Sequence, residues 1–109
     1  MIEIPVLDAN DSQIEVEMTG ETFFLNMSWN SEGAFWVMSL EDYAHNLIVA
    51  GARVTANGEL LGMFRHYQVP PGTLWCVLMD DQRGDLMRTD FADGSAFLVY
   101  VEPGENVTI

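Results

Sequence analysis

Across residues 14–18 apolar and acidic side chains take turns, with Ile14, Val16 and Met18 on one parity and Glu15 and Glu17 on the other. Only an extended backbone sends alternate residues to opposite faces, so this segment reads as a strand with its apolar side inward and its glutamates in solvent. Thr19-Gly20-Glu21 then provides a short reversal. Residues 22–29 resume the period of two, setting Phe23, Leu25, Met27 and Trp29 against Phe24 and Asn26. Two alternating runs joined by a glycine-containing loop predict an antiparallel hairpin.

The remaining chain is punctuated in the same manner. Residues 2–7 read as an edge strand because Pro5 removes a ladder donor, and Asp8-Ala9-Asn10-Asp11-Ser12 has the chemistry of a turn. After a reversal at Asn30-Ser31-Glu32-Gly33, residues 34–40 are apolar on both parities. That pattern predicts a central strand, a strand covered on both sides or an oligomer contact. Residues 41–46 form a polar turn, 47–54 resume the sheet with a bulge or a close backbone approach expected at Gly51, and Asn57-Gly58 marks a tight turn. Residues 60–64 are read as a packed loop, since Gly62 weakens so short a helix. Pro70-Pro71-Gly72 stiffens the entry to a strand over 73–79, in which Thr73, Trp75, Val77 and Met79 share a face. Residues 80–85 and 90–94 read as exposed acidic turns, and 95–102 as the last strand before Pro103-Gly104. Seven or eight short strands without a long helix predict an all-β fold, an antiparallel β-barrel or β-sandwich. One domain over 1–109 is expected, with 103–109 as a flexible tail.

The strands sit under a strongly acidic surface: 17 Asp and Glu face four arginines and no lysine, for a net charge of -13. Nucleic-acid binding needs clustered Lys and Arg to neutralise phosphate, so direct binding is not expected. Anionic membranes and acidic substrates are disfavoured for the same reason. Disorder is excluded by an apolar fraction of 49% rich in aromatic and β-branched residues. The acidity is left with three readings: solubility, a basic partner, or a space through which something negative passes without sticking. Met1-Ile2-Glu3-Ile4-Pro5 shows no basic region ahead of an apolar stretch, so no secretory leader is expected, and no run has the length of a membrane span.

Chemistry finds little support. Asp8-Ala9-Asn10-Asp11-Ser12 offers oxygens at alternate positions, but Gln13 and Thr19 stand where a calcium loop of the EF-hand type needs Gly and Glu. His45, His66 and Cys76 lack zinc-site spacing, so neither a metal nor another cofactor is expected. Cys76 lies inside Leu74-Trp75-Cys76-Val77-Leu78-Met79, the setting of a buried, inert thiol. A catalytic site would have to gather His45 or His66 with carboxylates, and no nucleophile elbow or phosphate loop is present. The three tryptophans read as strand-borne core residues or as interface anchors, a role that Trp, Tyr and Arg favour. Each arginine has many acids with which to pair.

Ile4-Pro5, Trp29-Asn30, Phe35-Trp36, Arg65-His66-Tyr67 with Pro70-Pro71-Gly72-Thr73-Leu74, and Asp90-Phe91 ahead of Leu98-Val99-Tyr100 follow one another in a characteristic order. In that order and spacing the chain, from Ile2 to about Tyr100, resembles the baseplate plug proteins of contractile-tailed phages. The resemblance implies a structural, non-enzymatic role at the centre of the baseplate, beside the hub and near the tail axis. It implies a virion location, with host cytoplasm during assembly, and hub and neighbouring tail proteins as partners. A homo-oligomer is expected, a trimer by analogy with threefold hubs. The shared pattern makes Trp29, Trp36, Arg65, Tyr67, Pro70 and Pro71 interface candidates and Gly72 a structural turn. The alternative reading is a small β-sandwich module for a carbohydrate or a basic peptide.

Overall fold

The computed structural model describes residues 2–64, 69–79 and 85–105, and shows that the alternating segments build two antiparallel sheets. Seven strands are present among these residues: β1 (Ile2–Ile4), β2 (Asp11–Met18), β3 (Glu21–Asn30), β4 (Phe35–Glu41), β5 (Leu47–Arg53), β6 (Thr73–Leu78) and β7 (Ala96–Val101). One sheet runs in the order β2-β3-β4-β5, the other β1-β7-β6. The all-β expectation holds.

The hairpin forms in the register the alternation demands, with Ile14 opposite Leu25 and Val16 opposite Phe23. Its loop has two residues, Thr19 (φ 52) and Gly20 (φ 77), both left-handed. This geometry matches the twist of the flanking strands, at a steric cost for a β-branched residue. Phe23, Leu25 and Met27 of β3 and Trp36, Met38 and Leu40 of β4 are buried on the inner face, while Glu15 and Glu17 are exposed. Ile4, Leu74, Cys76, Leu98 and Tyr100 complete the same core from the second sheet. The run apolar on both parities is thus a strand interior to its sheet. Its second parity, Phe35 and Val37, is half-buried on the outer face.

The expected bulge is at Gly51. Met38 pairs with Ala52 and Leu40 with Val49, so Ala50 and Gly51 together oppose Ser39. Gly51 takes φ 65, and its N–H donates to Ser39 Oγ at 3.2 Å. β1 stops at Ile4, directly before Pro5.

Two local expectations are corrected. Gly62–Phe64 is a 3-10 turn rather than an irregular loop, closed by Phe64 N–H donating to Leu61 O at 2.9 Å. Glu59 organises it: Oε2 accepts the N–H groups of Leu61 (2.8 Å) and Leu74 (2.9 Å), so a carboxylate ties the turn to β6. The second acidic turn contains α1 (Asp90–Asp93), a single helical turn whose Asp90 is only 2% exposed. Burial is sustained by hydrogen bonding, because Asp90 Oδ2 accepts the Met87 N–H at 2.6 Å. The 80–84 part of the other acidic turn lies outside the described residues.

Candidate assembly surface

The two sheets are fastened at one end by a chain of hydrogen bonds that starts in the Pro70-Pro71-Gly72 segment. Gly72 N–H donates to the Tyr100 hydroxyl at 2.7 Å. Tyr100 Oη lies 2.6 Å from Thr19 Oγ1, which lies 2.6 Å from Glu102 Oε2. An ionised carboxylate only accepts, so the Thr19 hydrogen points to Glu102 and the Tyr100 hydrogen to Thr19. Thr19 N–H also donates to Glu102 Oε1 at 3.2 Å, which offsets the strain of its left-handed backbone. Gly72 is required by close approach: an added Cβ would stand 2.1 Å from Val101 O and 2.5 Å from Tyr100 Oη. Pro70 is buried beside this junction in sequence, whereas Pro71 is exposed.

The paired tryptophans divide into core and margin. Trp36 is fully buried, meeting Trp29 edge-on at 5.4 Å and Phe91 edge-on at 5.6 Å between ring centroids. It presents no surface, so as an interface candidate it is corrected to a core support; Trp29 beside it is half-buried. Arg88 lies over the Trp36 ring at 5.5 Å, its Nε donating to Asn10 Oδ1 (2.8 Å) and Nη1 to Asp8 Oδ1 (3.0 Å). The turn after β1 is thereby pinned to the segment before α1. Leu7 and Met87, the chain neighbours of that ion pair, are exposed apolar side chains. Arg65 and Tyr67 lie outside the described residues.

At the tip between β4 and β5 a second exposed pair is held on a rigid turn. Asp42 Oδ1 accepts the N–H groups of Ala44 and Asn46, each at 2.9 Å, and Oδ2 accepts Asn46 Nδ2 at 3.2 Å. These bonds, the Asn46 backbone N–H foremost, hold the Asp42 carboxyl below its usual range. Tyr43 and Leu47, 76% and 60% exposed, project from the turn. Beside it lies an open groove of about 500 Å³, lined by Glu21, Phe23, Asp42, Tyr43 and Ile48 among others.

The outer face of the four-stranded sheet carries a cross-linked polar network beside Phe24, Phe35 and Val37. Asn26 Nδ2 donates to Glu41, Gln13 Nε2 donates to Asn26 Oδ1 at 2.9 Å, and Ser28 Oγ donates to Asp11 Oδ1 at 2.7 Å. His45 stacks on Phe24 with centroids 4.1 Å apart and sets Nδ1 3.1 Å from Glu41 Oε1. The Asn26 bond, then the His45 bond, hold the Glu41 carboxyl below its usual range. The smaller sheet has an apolar outer face instead, with Val77, Val99 and Val101 buried and Trp75 half-buried, its Nε1 donating to Thr73 Oγ1 at 2.9 Å.

Among the described residues no group of three or more His, Cys, Asp or Glu is placed to hold a metal ion. No helix among them is long and apolar enough to cross a membrane. Burial, then the neighbouring charge of Asp90, pushes the Cys76 thiol up to about 12, which keeps it protonated and unreactive. The roles of Arg88 and Tyr43 were not singled out from sequence. Arg88 could have been reached from the scarcity of cations among so many acids, whereas nothing in the pattern marked Tyr43.

No curated protein matches the chain. The family model described as cyanophage baseplate Pam3 plug gp18 matches residues 1–103. That span takes in both sheets, the Gly72–Tyr100–Glu102 fastening and every sequence-predicted site residue, and it reaches slightly past the resemblance that ended near Tyr100. The chain therefore belongs to the cyanophage Pam3 baseplate plug family, and it is a structural component of the phage tail baseplate rather than an enzyme.

Proposed function

We propose that the domain sits at the centre of the baseplate beside the hub, closes the lower end of the tube near the tail axis, and does so as a trimer. The observation that carries this reading is the family match over residues 1–103, because the family is that of a baseplate plug. The net charge of -13 supports an axial location, since a negative field lowers the adsorption of passing DNA. Threefold association is argued from symmetry: a component on the axis of a threefold hub is satisfied by three equivalent copies.

The surfaces that suit neighbours are the exposed apolar side chains held on stiff supports. Tyr43 and Leu47 project from the Asp42-capped turn, and Leu7 and Met87 flank the Arg88–Asp8 pair. Trp29 and Pro71 remain interface candidates with exposed area, and Arg65 and Tyr67 are proposed with them from the family pattern. Native mass spectrometry of the purified chain, with and without the hub protein, tests the proposal. A trimer that binds the hub is expected, together with density for the protein on the axis in reconstructions of the virion. A strict monomer that ignores the hub overturns it.

A further inference from the structure

Four sheet edges close this fold, and three of them are blunted against further pairing in ways that are visible among the described residues. β1 is three residues long and is followed by Pro5. β5 is broken by register shifts and by the left-handed Gly51. The free side of β6 is covered by the preceding segment, where Asn57 N–H donates to Cys76 O (2.7 Å), Cys76 N–H to Gly58 O (3.3 Å) and Leu60 N–H to Leu74 O (2.7 Å). Short strands, bulges, prolines and covering loops are the usual protections of an edge.

Among the described residues β2 has none of them. It runs eight residues in unbroken register with β3, without proline, glycine or bulge. The direction of its bonding follows from the same register: Trp29 N–H donates to Asn10 O at 2.7 Å, so Asn10 and the even-numbered residues of β2 turn their backbone groups toward β3. The N–H and C=O groups of Asp11, Gln13, Glu15 and Glu17 therefore face outward, and all four residues are exposed. This is a full template for an added strand.

The side chains on those same residues say which strand. Three of the four are acids, so a second copy of β2 would bring like charges together across an antiparallel pair, which is destabilising. An incoming strand with cations at alternate positions would meet an acid at nearly every step. This chain cannot supply it: it has no lysine, and its arginines at 53, 65, 83 and 88 never alternate within a strand length. We propose that the free edge of β2 receives an extended segment of a different, basic protein by strand addition, with backbone hydrogen bonds giving the affinity and Glu15 and Glu17 selecting the cations. The proposal requires neither trimer formation nor an axial position.

The test uses the full chain and a blocked synthetic peptide, Thr-Val-Lys-Val-Lys-Val-Thr, with amide exchange followed residue by residue by NMR. Exchange at Gln13, Glu15 and Glu17 should slow at least ~10-fold with millimolar peptide, the even-numbered amides being already bonded. N-methylation of the peptide at the positions facing β2 should abolish the effect without altering its charge. Gln13→Pro should abolish it too, and Glu15→Lys with Glu17→Lys should transfer the preference to a peptide with Glu in place of Lys. Undiminished binding of the N-methylated peptide, slowing at β5 or β1 instead, or no slowing at millimolar peptide each overturns the proposal. None of these results bears on whether the protein is found in baseplates, which virion reconstruction decides separately.

Discussion

At the scale of single residues, a buried polar group held by its partners makes a contribution to stability that one substitution can expose. The Tyr100 hydroxyl is the acceptor of the Gly72 N–H and the donor to Thr19, and the residue is fully buried. Tyr100→Phe should lower the free energy of unfolding by about 1–3 kcal/mol, read from urea denaturation. The aromatic ring is retained in this substitution, so the loss reports the hydroxyl and its partners rather than a cavity in the core. Cys76 makes a different prediction. With its thiol raised to about 12 from an ordinary value near 9.0, it should resist alkylation at pH 8 in the folded chain and react promptly in denaturant. The sign of the linked stability follows: above pH 9 the unfolded chain releases a proton that the folded one keeps, so stability present below pH 9 falls as pH rises toward 12. Unfolding midpoints measured from pH 8 to pH 11 should therefore decline, and Cys76→Ala should shallow that decline.

At the scale of elements, the strands were legible because burial imposes a period of two, and the hairpin register followed from it. Bulges were legible where glycine stood inside an alternating run. Gly51→Val should destabilise by about 1–2 kcal/mol, because the site has open space but a left-handed backbone, and Gly51→Asn should recover most of the loss. Thermal denaturation of the two variants checks the pair. What sequence could not show was which acids are structural. Glu59 and Asp90 look like any other surface carboxylate in the chain, yet Glu59 accepts the Leu61 and Leu74 N–H groups, the second from a distant strand, and Asp90 is buried while accepting the Met87 N–H three residues before it. Nor could the pattern separate Trp36 from Trp29. Both lie on inner-face positions, and only the packing of Phe91 and Arg88 over Trp36 removes it from the surface. The left-handed Thr19 was equally hidden, since its compensation comes from Glu102 at the far end of the chain.

At the scale of the whole molecule, the net charge of -13 acts on stability as well as on partners. Self-repulsion among the carboxylates opposes the compact state, and salt weakens it as the Debye length falls from ~30 Å at about 10 mM to ~8 Å at about 150 mM. The thermal midpoint should therefore rise by several degrees over that range, measured by circular dichroism, and a flat or falling midpoint would show that screening of the ion pairs dominates instead.

The pairing of β1 with β7, Ile2 opposite Tyr100, also sets a timetable. The larger sheet is a meander of consecutive strands and can close while the ribosome is still working, since each new strand finds its neighbour already made. The smaller sheet cannot, because its first strand waits unpaired until residues 96–101 have cleared the exit tunnel. During that interval the inner face of the meander has no lid. A phage protein needed in a crowded assembly thus completes its smaller sheet only when β7, the last strand among the described residues, is made, and translation itself becomes the clock for its availability to the baseplate.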